Sequence, residues 1–154
     1  MEKLDEIDLN ILRILQKDSK KTTKEVAEIL NLTPSPVYER VRRLEKRGYI
    51  KKYVALINKN LINIPITAIC MVSLRYHNEG FIDKFDKQIK GLKEVQECYH
   101  MAGKVDFFLK INLSSLDEYH EFVRLKLSKI ENIGVLESYF VLKEIFSTTE
   151  YFIE

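Results

Sequence analysis

The spacing of apolar positions predicts that the chain begins with helices. Over residues 5–16 apolar side chains recur every three or four positions, as on one face of a helix, and Asp5 is a suitable N-cap. Thr22 and Glu25 have the spacing of a capping box, in which each side chain bonds the other residue's backbone amide. The sequence therefore predicts one helix from about residue 5 and a second, shorter helix after Thr22.

A third helix is predicted after a two-residue turn. Thr33 is a suitable N-cap, and Pro34 would occupy the first helical position, where its missing amide hydrogen costs nothing. Gly48 is typical of the residue that ends a helix in a left-handed conformation. Residues 49–57 are rich in β-formers and predict an extended strand leaving the helical region.

Beyond residue 60 the pattern changes to strand, helix, strand, repeated twice. The order βαββαβ is that of the ferredoxin-like split motif, so we expect an α+β fold with two domains, at residues 1–60 and 61–154. One face of the predicted sheet has apolar residues and no helix to cover it, and we expect that face to pack against another subunit. The predicted strands are 66–76, 95–101, 106–113 and 135–145, and the predicted helices are 80–90 and 116–130.

Charge is distributed unevenly along the chain. The total is only +2, but residues 1–60 have 14 Lys and Arg against nine Asp and Glu, and residues 61–154 have 11 against 14. Seven basic residues and a single acid lie between Arg40 and Lys52. Such asymmetry indicates that the N-terminal region binds a polyanion.

The third predicted helix places its basic side chains opposite an apolar stripe of Val37, Val41 and Leu44. A short helix, a tight turn and a second helix with a basic outer face form a helix-turn-helix, whose second helix enters the major groove of DNA. The alternative is that these charges only solvate an exposed helix. The candidate DNA-binding residues are Ser35, Tyr38, Glu39 and Arg42 toward the bases, Arg40, Arg43, Lys46 and Arg47 toward the phosphates, and Pro36 without an assigned contact.

Other chemistry has little support in the sequence. We find no glycine-rich phosphate loop and no Ser/His/Asp arrangement, and the three histidines are too scattered to predict a metal site. Cys70 and Cys98 lie in apolar stretches and are expected to be small buried hydrophobic residues rather than a disulfide. A charged N-terminus and the lack of a long apolar run predict a cytoplasmic protein without a membrane partner. We expect no enzymatic activity and no cofactor.

Two stretches of the sequence resemble the Lrp/AsnC family, the feast/famine regulators. The first combines Asp5-x-x-Asp8-x-x-Ile11-Leu12 with the run Pro34-Ser35-Pro36-Val37-x-Glu39-Arg40-Val41-Arg42-Arg43-Leu44-Glu45-x-x-Gly48-Tyr49-Ile50. The second is Val95-Gln96-Glu97-Cys98-Tyr99-His100-Met101-Ala102-Gly103-Lys104-Val105-Asp106-Phe107. The resemblance implies a winged helix-turn-helix domain, a RAM-type ferredoxin-like effector domain, and dimers that assemble into octamers or hexadecamers.

The resemblance also implies an amino-acid or small-metabolite effector at an interface between dimers. Gly103 would let the effector approach the backbone, and Asp106 would receive an α-ammonium group or hold the turn. The chain departs from the family pattern at Val105, where many members have an aromatic residue, and at Glu131-Asn132, where many have Pro-Gly. The effector-binding residues implied in this way are His100, Gly103, Lys104, Val105, Asp106, Ser138 and Tyr139.

Together these patterns predict a sequence-specific DNA-binding transcriptional regulator, modulated by a small molecule through its oligomeric state. Two alternatives stay open. The two-domain arrangement also resembles the sirohaem decarboxylases, which use His and Arg residues around a tetrapyrrole, and His100 and His120 make that conceivable. The other alternative is a ligand-binding assembly protein that does not bind DNA.

Overall fold

The structure, a computed structural model, describes residues 3–154 and divides into two compact units. The helical unit contains the residues up to Leu56 together with Phe146–Glu154, and the sheet unit contains Ile57–Ile145. The sequence predicted a boundary near residue 60 and grouped the C-terminal residues with the sheet. Here the last nine residues pack within the helical unit.

The helical unit has three helices around a small apolar core. They are α1 (Glu6–Lys17), α2 (Thr23–Ile29) and α3 (Pro34–Lys46). Asp5 caps α1 by accepting a hydrogen bond from the Asp8 amide at 2.8 Å, and Thr22 and Glu25 form the predicted capping box. The core residues are Ile11, Leu15, Val26, Ala27, Val37 and Leu44.

Two residues with positive φ close the turns of this unit. Asn31 (φ 54°) follows α2, and Gly48 (φ 77°) follows α3 as predicted. In each case the next residue donates its amide to a carbonyl five positions earlier, at 2.9 Å for Leu32 and 3.0 Å for Tyr49. This bonding satisfies carbonyls that the helix end would otherwise leave unpaired. The two turns fix the directions in which the chain enters and leaves α3.

The C-terminal residues are held against α1 by hydrogen bonds between side chains of α1 and the C-terminal backbone. Gln16 donates its side-chain amide to the Tyr151 carbonyl at 2.9 Å and accepts from the Tyr151 amide at 3.0 Å. Arg13 donates to the Ile153 carbonyl at 3.1 Å. One glutamine side chain satisfies both polar groups of a backbone residue, and no periodic pattern in the sequence signals such a contact.

The predicted strand at residues 49–57 is the main difference in this region. Among the residues that the structure describes, no other segment forms a β-ladder with it. A strand is stabilised by pairing, and a segment of β-formers that finds no partner among residues 3–154 forms no strand. Val54, Leu56 and Ile57 are exposed as a result.

The sheet unit has the predicted βαββαβ order. Its strands are β1 (Ile66–Leu74), β2 (Val95–His100), β3 (Phe107–Leu113) and β4 (Ile133–Phe140). They pair antiparallel in the order β2-β3-β1-β4. The helices are α4 (Glu79–Lys90) and α5 (Leu116–Leu125), and a short 3₁₀ turn, Leu127–Lys129, follows α5. Strand β4 ends at Phe140, five residues before its predicted end.

One face of the sheet packs against α4 and α5 and forms the core. Strand β1 contributes Ala68, Cys70 and Val72 to this core, and α4 contributes Phe85 and Ile89. The alternate positions of the strands point to the other face, which we call the open face because neither α4 nor α5 covers it. Its apolar and aromatic residues are Ile69, Met71, Tyr99, Phe108, Val135 and Tyr139.

The two cysteines differ in burial. Cys70 is fully buried in the core, as expected, whereas the expectation of burial is wrong for Cys98, which is exposed. Cys98 faces the helix-covered side opposite Leu109, but it lies on the edge strand β2, where one flank has no neighbouring strand. Both thiols are free.

None of the helices in residues 3–154 has the length and apolar character that crossing a membrane requires.

Candidate functional site

The outer face of α3 presents most of the residues that the sequence assigned to DNA. Val37 and Leu44 are fully buried and fix one side of the helix to the core. The opposite side is exposed from the first turn to the last. The exposed candidates are Ser35, Pro36, Tyr38, Glu39, Arg42, Lys46 and Arg47.

Tyr38 and Arg42 form a pair on this exposed face. The Arg42 guanidinium carbon lies 5.8 Å from the centre of the Tyr38 ring, within the range of a cation–π contact. The pair is one helical turn apart, so both side chains lie on the same side of α3. This contact limits the rotamers of Arg42 before any ligand is bound.

Arg40 and Arg43 differ from the other candidates because both contact acidic residues of α1 and its cap. Arg40 Nη1 donates to Asp5 Oδ2 at 2.6 Å and to Asp8 Oδ1 at 2.8 Å. Arg43 Nη2 donates to both oxygens of Asp8, at 3.0 and 2.8 Å. Their predicted role at phosphates stays a prediction, and any phosphate competes with these ion pairs.

Asp8 is the buried centre of this cluster, which we call the Asp8 cluster: Asp5, Asp8, Arg40 and Arg43. Only 3% of the Asp8 side chain is exposed. The backbone amide of Asp8 and the Arg40 guanidinium hold the pKa of the Asp5 carboxyl below its ordinary value. Hydrogen bonds to Asp5 and Asp8 raise the pKa of Arg40. The sequence analysis assigned Asp5 to capping only and missed the partners of both arginines.

The only acid in the basic run, Glu45, also has a partner. Tyr53 donates its hydroxyl to Glu45 Oε1 at 2.8 Å. Burial, followed by the hydrogen bond and charge of Glu45, raises the pKa of Tyr53 to about 12, so this hydroxyl is protonated at neutral pH. The bond ties the extended segment after α3 to the last turn of the helix.

In the sheet unit, Asp106 holds the connection between β2 and β3. Its carboxylate Oδ2 accepts the Leu74 amide at 2.7 Å and lies 3.1 Å from His77 Nε2. Its own carbonyl accepts the Met101 amide at 2.8 Å, which closes the turn. Both side-chain contacts use the same oxygen, and no hydrogen bond from the described residues reaches Oδ1. Asp106 thus bonds both strand β1 and its own turn, its role toward an α-ammonium group stays a prediction, and His77 is a neighbour that the sequence analysis missed.

Two other residues of this turn, Gly103 and Lys104, are open to solvent. A Cβ atom built on Gly103 would meet nothing within 4 Å, so the fold itself does not require glycine there. Lys104 is exposed, and its carbonyl accepts a hydrogen bond from the Ser73 hydroxyl at 3.4 Å. Val105 is half-buried, and the His100 ring stacks on Phe107 with centroids 4.8 Å apart.

Ser138 and Tyr139 lie on opposite faces of β4. Ser138 pairs with Cys70 on the helix-covered face, and its hydroxyl accepts a hydrogen bond from the Tyr119 hydroxyl. Burial raises the pKa of Tyr119 to about 12, with a further contribution from Cys70. Tyr139 is on the open face. Ser138 therefore bonds toward the helix-covered side while it remains exposed on the edge strand β4, and within one chain it does not form a common pocket with Tyr139.

The turn before β4 contains Glu131-Asn132, where many members of the family have Pro-Gly. Asn132 takes the left-handed conformation (φ 71°) that glycine adopts most easily. Its side chain accepts the Tyr76 amide at 2.9 Å and donates to the Tyr76 carbonyl at 2.8 Å. The departure from the family pattern is therefore compensated locally.

The residues described here contain no group of three or more His, Cys, Asp or Glu side chains placed to bind a metal ion.

Comparisons with known proteins agree with this geometry. Residues 4–51 match the family described as winged helix-turn-helix DNA-binding, and residues 67–151 match the Lrp/AsnC ligand binding domain. The chain is 32% identical to the leucine-responsive regulatory protein of Haemophilus influenzae, over 94% of this chain and 87% of that protein. It is 31% identical to the Escherichia coli protein of the same name, over 92% and 87%.

Two solved structures have nearly the same fold. One is a transcriptional regulator of Neisseria meningitidis in complex with L-methionine, with a TM-score of 0.91, 31% identity and coverage of 96% of this chain and 95% of that chain. The other is an AsnC family transcriptional regulator of Agrobacterium tumefaciens, with a TM-score of 0.91, 30% identity and coverage of 96% of both chains.

Proposed function

Since the chain belongs to the Lrp/AsnC family of transcriptional regulators, we propose that it binds double-stranded DNA by inserting α3 into the major groove. The observation that supports this most directly is the exposed outer face of α3, which presents basic and polar side chains on a helix fixed by Val37 and Leu44. The major groove is wide enough for one helix. In a dimer, two copies of α3 would contact half-sites about one helical turn, ~34 Å, apart or a multiple of it.

Within this proposal the residues of α3 have two kinds of role. Ser35, Tyr38, Glu39 and Arg42 lie toward the N-terminal and central turns and would contact base edges, and the exposed Pro36 would lie at the same interface. Lys46 and Arg47 are at the end of the helix and would contact phosphates. Base contacts determine sequence preference, whereas phosphate contacts add affinity that does not depend on sequence.

The test compares Arg42→Ala with Lys46→Ala on two DNA duplexes. The selected duplex is enriched by the unmodified protein from a random-sequence pool, and the random duplex is unselected DNA of the same length. Arg42→Ala should cost about 1–3 kcal/mol on the selected duplex and relax the preference at one position. Lys46→Ala should weaken both duplexes alike and reduce the salt slope by about one. If both variants bind like the unmodified protein, α3 is not the recognition helix.

We also propose that the sheet unit binds an amino acid at the Gly103–Asp106 turn. Asp106 Oδ1 has no hydrogen bond from the described residues and could accept an α-ammonium group, while the open space at Gly103 lets a ligand reach the backbone. The methionine complex of the Neisseria relative supports an amino acid as the effector. Asp106 bonds Leu74, whereas Ser138 lies opposite Cys70, four residues earlier in β1 and about 13 Å away at ~3.3 Å per residue. A second copy would therefore supply the other wall of the site.

Asp106→Asn tests the effector site while sparing the fold. Asparagine keeps an oxygen that can accept the Leu74 amide, but it lacks the negative charge that would pair with an ammonium group. Calorimetry with a panel of amino acids, methionine and leucine included, should detect binding to the unmodified protein and to the exposed control Asp117→Asn, and none to Asp106→Asn. Equal binding to all three proteins would contradict the site.

The remaining assignments follow from these two proposals. We assign DNA binding to residues 1–60 and effector binding with self-association to residues 61–154, and we propose that dimers assemble further into octamers. A regulator of chromosomal DNA would act in the cytoplasm and need no enzymatic activity. The basic outer face of α3 favours this function over both a decarboxylase and an assembly protein without DNA binding, since neither requires it.

A further inference from the structure

The Asp8 cluster joins α1 to α3 at two points that are one helical turn apart. Arg40 and Arg43 occupy positions i and i+3 of α3, and both reach the carboxylate of the same residue, Asp8. Hydrogen bonds between charged groups depend strongly on direction, whereas the apolar contacts of Val37 and Leu44 do not. The apolar stripe therefore sets which side of α3 is buried, and the Asp8 cluster sets the rotation of the helix about its axis.

The same geometry makes Arg40 and Arg43 poor phosphate ligands. Asp8 is almost completely buried, and both of its oxygens accept from these two guanidinium groups. An arginine that turned away to a phosphate would leave a buried carboxylate short of a partner, which is strongly unfavourable. Arg40 and Arg43 are also half-buried, unlike Arg42 and Lys46, which are exposed.

We propose that Asp8 is a positioning residue for sequence-specific DNA recognition, and that Arg40 and Arg43 act through Asp8 rather than through phosphates. The proposal rests on the proposed function, in which α3 reads the major groove. It assigns a role in sequence preference to a residue of α1 that the DNA itself does not contact.

The physical link is the rotation of α3. Hydrogen bonds to base edges need a defined orientation, so a small rotation of the helix moves Glu39 and Arg42 out of register with the bases. A long flexible lysine such as Lys46 can follow a phosphate through the same rotation. Loss of the Asp8 cluster should therefore reduce selectivity more than it reduces general affinity for DNA.

Asp8→Asn distinguishes a role of Asp8 in positioning α3 from a purely electrostatic effect of its charge on DNA affinity. The change removes one negative charge from the DNA-binding unit, so electrostatics alone predicts tighter binding to every duplex. Positioning predicts the opposite for the selected duplex: at least tenfold weaker binding, with binding to the random duplex unchanged or tighter. Glu28→Gln is the matched control, because it removes one charge from an exposed position of α2 and should leave the ratio of the two affinities unchanged.

The measurement is fluorescence anisotropy with both duplexes at several salt concentrations, after circular dichroism has confirmed that each variant is folded. Asp8→Asn with an unchanged affinity ratio would overturn the proposal. Arg43→Gln gives a second test. It is the milder change, because Asp8 keeps its contact with Arg40, so it can be used if Asp8→Asn fails to fold. We expect a lower affinity ratio with an unchanged salt slope.

The opposite result for Arg43→Gln would identify a phosphate contact. In that case both duplexes would weaken equally and the salt slope would fall by about one, which overturns the positioning role. Failure of the proposed function is distinguishable, because the unmodified protein would then enrich no duplex from the pool, and both proposals would be rejected together.

Discussion

The two units of the chain differ in where the residues of their proposed sites come from. In the helical unit the residues assigned to DNA lie on one helix, α3, and its supporting contacts come from the same chain. In the sheet unit the residues implied for the effector come from strand ends and from both faces of β4. Ser138 points to the helix-covered face, and Tyr139 points to the open face.

This difference shows what a single chain can complete. One chain provides the whole outer surface of a recognition helix, together with the ion pairs that orient it. The proposed effector site would have its floor at the Gly103–Asp106 turn, whereas the open face leaves Val135 and Tyr139 more than half exposed, at 54% and 52%. Apolar area of that kind indicates a protein interface. Binding of the effector and assembly of the oligomer would therefore be coupled, because a ligand shared between copies favours the assembled state.

We expect the largest effect from Phe108→Glu, which places a charge on the open face. If this variant assembled normally, the contrast between the two units would not hold. Phe108 lies on the open face of β3, opposite Met71 of β1 and beside Tyr99 of β2. A charge buried in an interface without a partner costs several kcal/mol, so the dissociation constant should rise at least about 100-fold. Light scattering after gel filtration measures the assembly, and Phe108→Leu is the control that keeps an apolar side chain. The same assembly in both variants would show that the open face is not an interface.

The second prediction compares an ion pair from each unit. Asp8→Ala removes the buried partner of two half-buried arginines and should lower the free energy of unfolding of the helical unit by about 1.5–3 kcal/mol, the range for hydrogen bonds to charged groups. Glu97→Ala breaks the more exposed pair with Lys110 on the sheet and should cost less than about 1 kcal/mol. Urea denaturation, followed by peptide-resolved hydrogen exchange, assigns each loss to its unit. Equal losses of stability in Asp8→Ala and Glu97→Ala would contradict a larger contribution of the buried Asp8 contacts.

Most of the fold could be predicted from the sequence because its signals are local. The N-cap at Asp5, the capping box at Thr22 and the glycine after α3 each depend on residues within one turn of the chain. The alternation of strand and helix patterns along the sequence gives the βαββαβ order directly. The partners of Arg40 and Arg43 could not be predicted in this way, since they lie more than 30 residues away.

The residues of the candidate sites also differ in whether local sequence patterns could predict them. The outer face of α3 follows from helical periodicity, so its exposed residues were predicted correctly as a surface. The proximity of His77 to Asp106 depends on how β1 and β3 pair, and the contact of Gln16 with Tyr151 joins residues 135 positions apart. One signal was overlooked: acids at positions 5 and 8 match arginines at positions 40 and 43 in their spacing. Complementary pairs three residues apart on two helices are consistent with a contact between them.

The smallest expected effect is a pH dependence that Asp5 contributes to the helical unit. The folded structure lowers the pKa of Asp5 below its ordinary value of 3.8, so its contribution to stability is complete above about pH 5 and is lost as the pH falls and the carboxylate is protonated. Half of the Asp5 side chain is exposed, which keeps the contribution small.

Asp5→Asn tests the sign of this contribution, because asparagine can still cap α1 but does not titrate. The unmodified protein should be more stable than the variant at pH 6, and the difference should be smaller at pH 3, because the contribution of the carboxylate declines as the pH falls below the ordinary pKa of 3.8. Hydrogen exchange of peptides from α1 and α3 in urea at both pH values measures the difference. Peptides from the sheet unit should be the same in both proteins, because Glu97 and Glu118, whose pKa values are also lowered, titrate identically in each. A stability gap that widens toward pH 3 would mean that Asp5 is destabilised as a carboxylate, and the Asp8 cluster would then not be the attractive contact that its distances indicate.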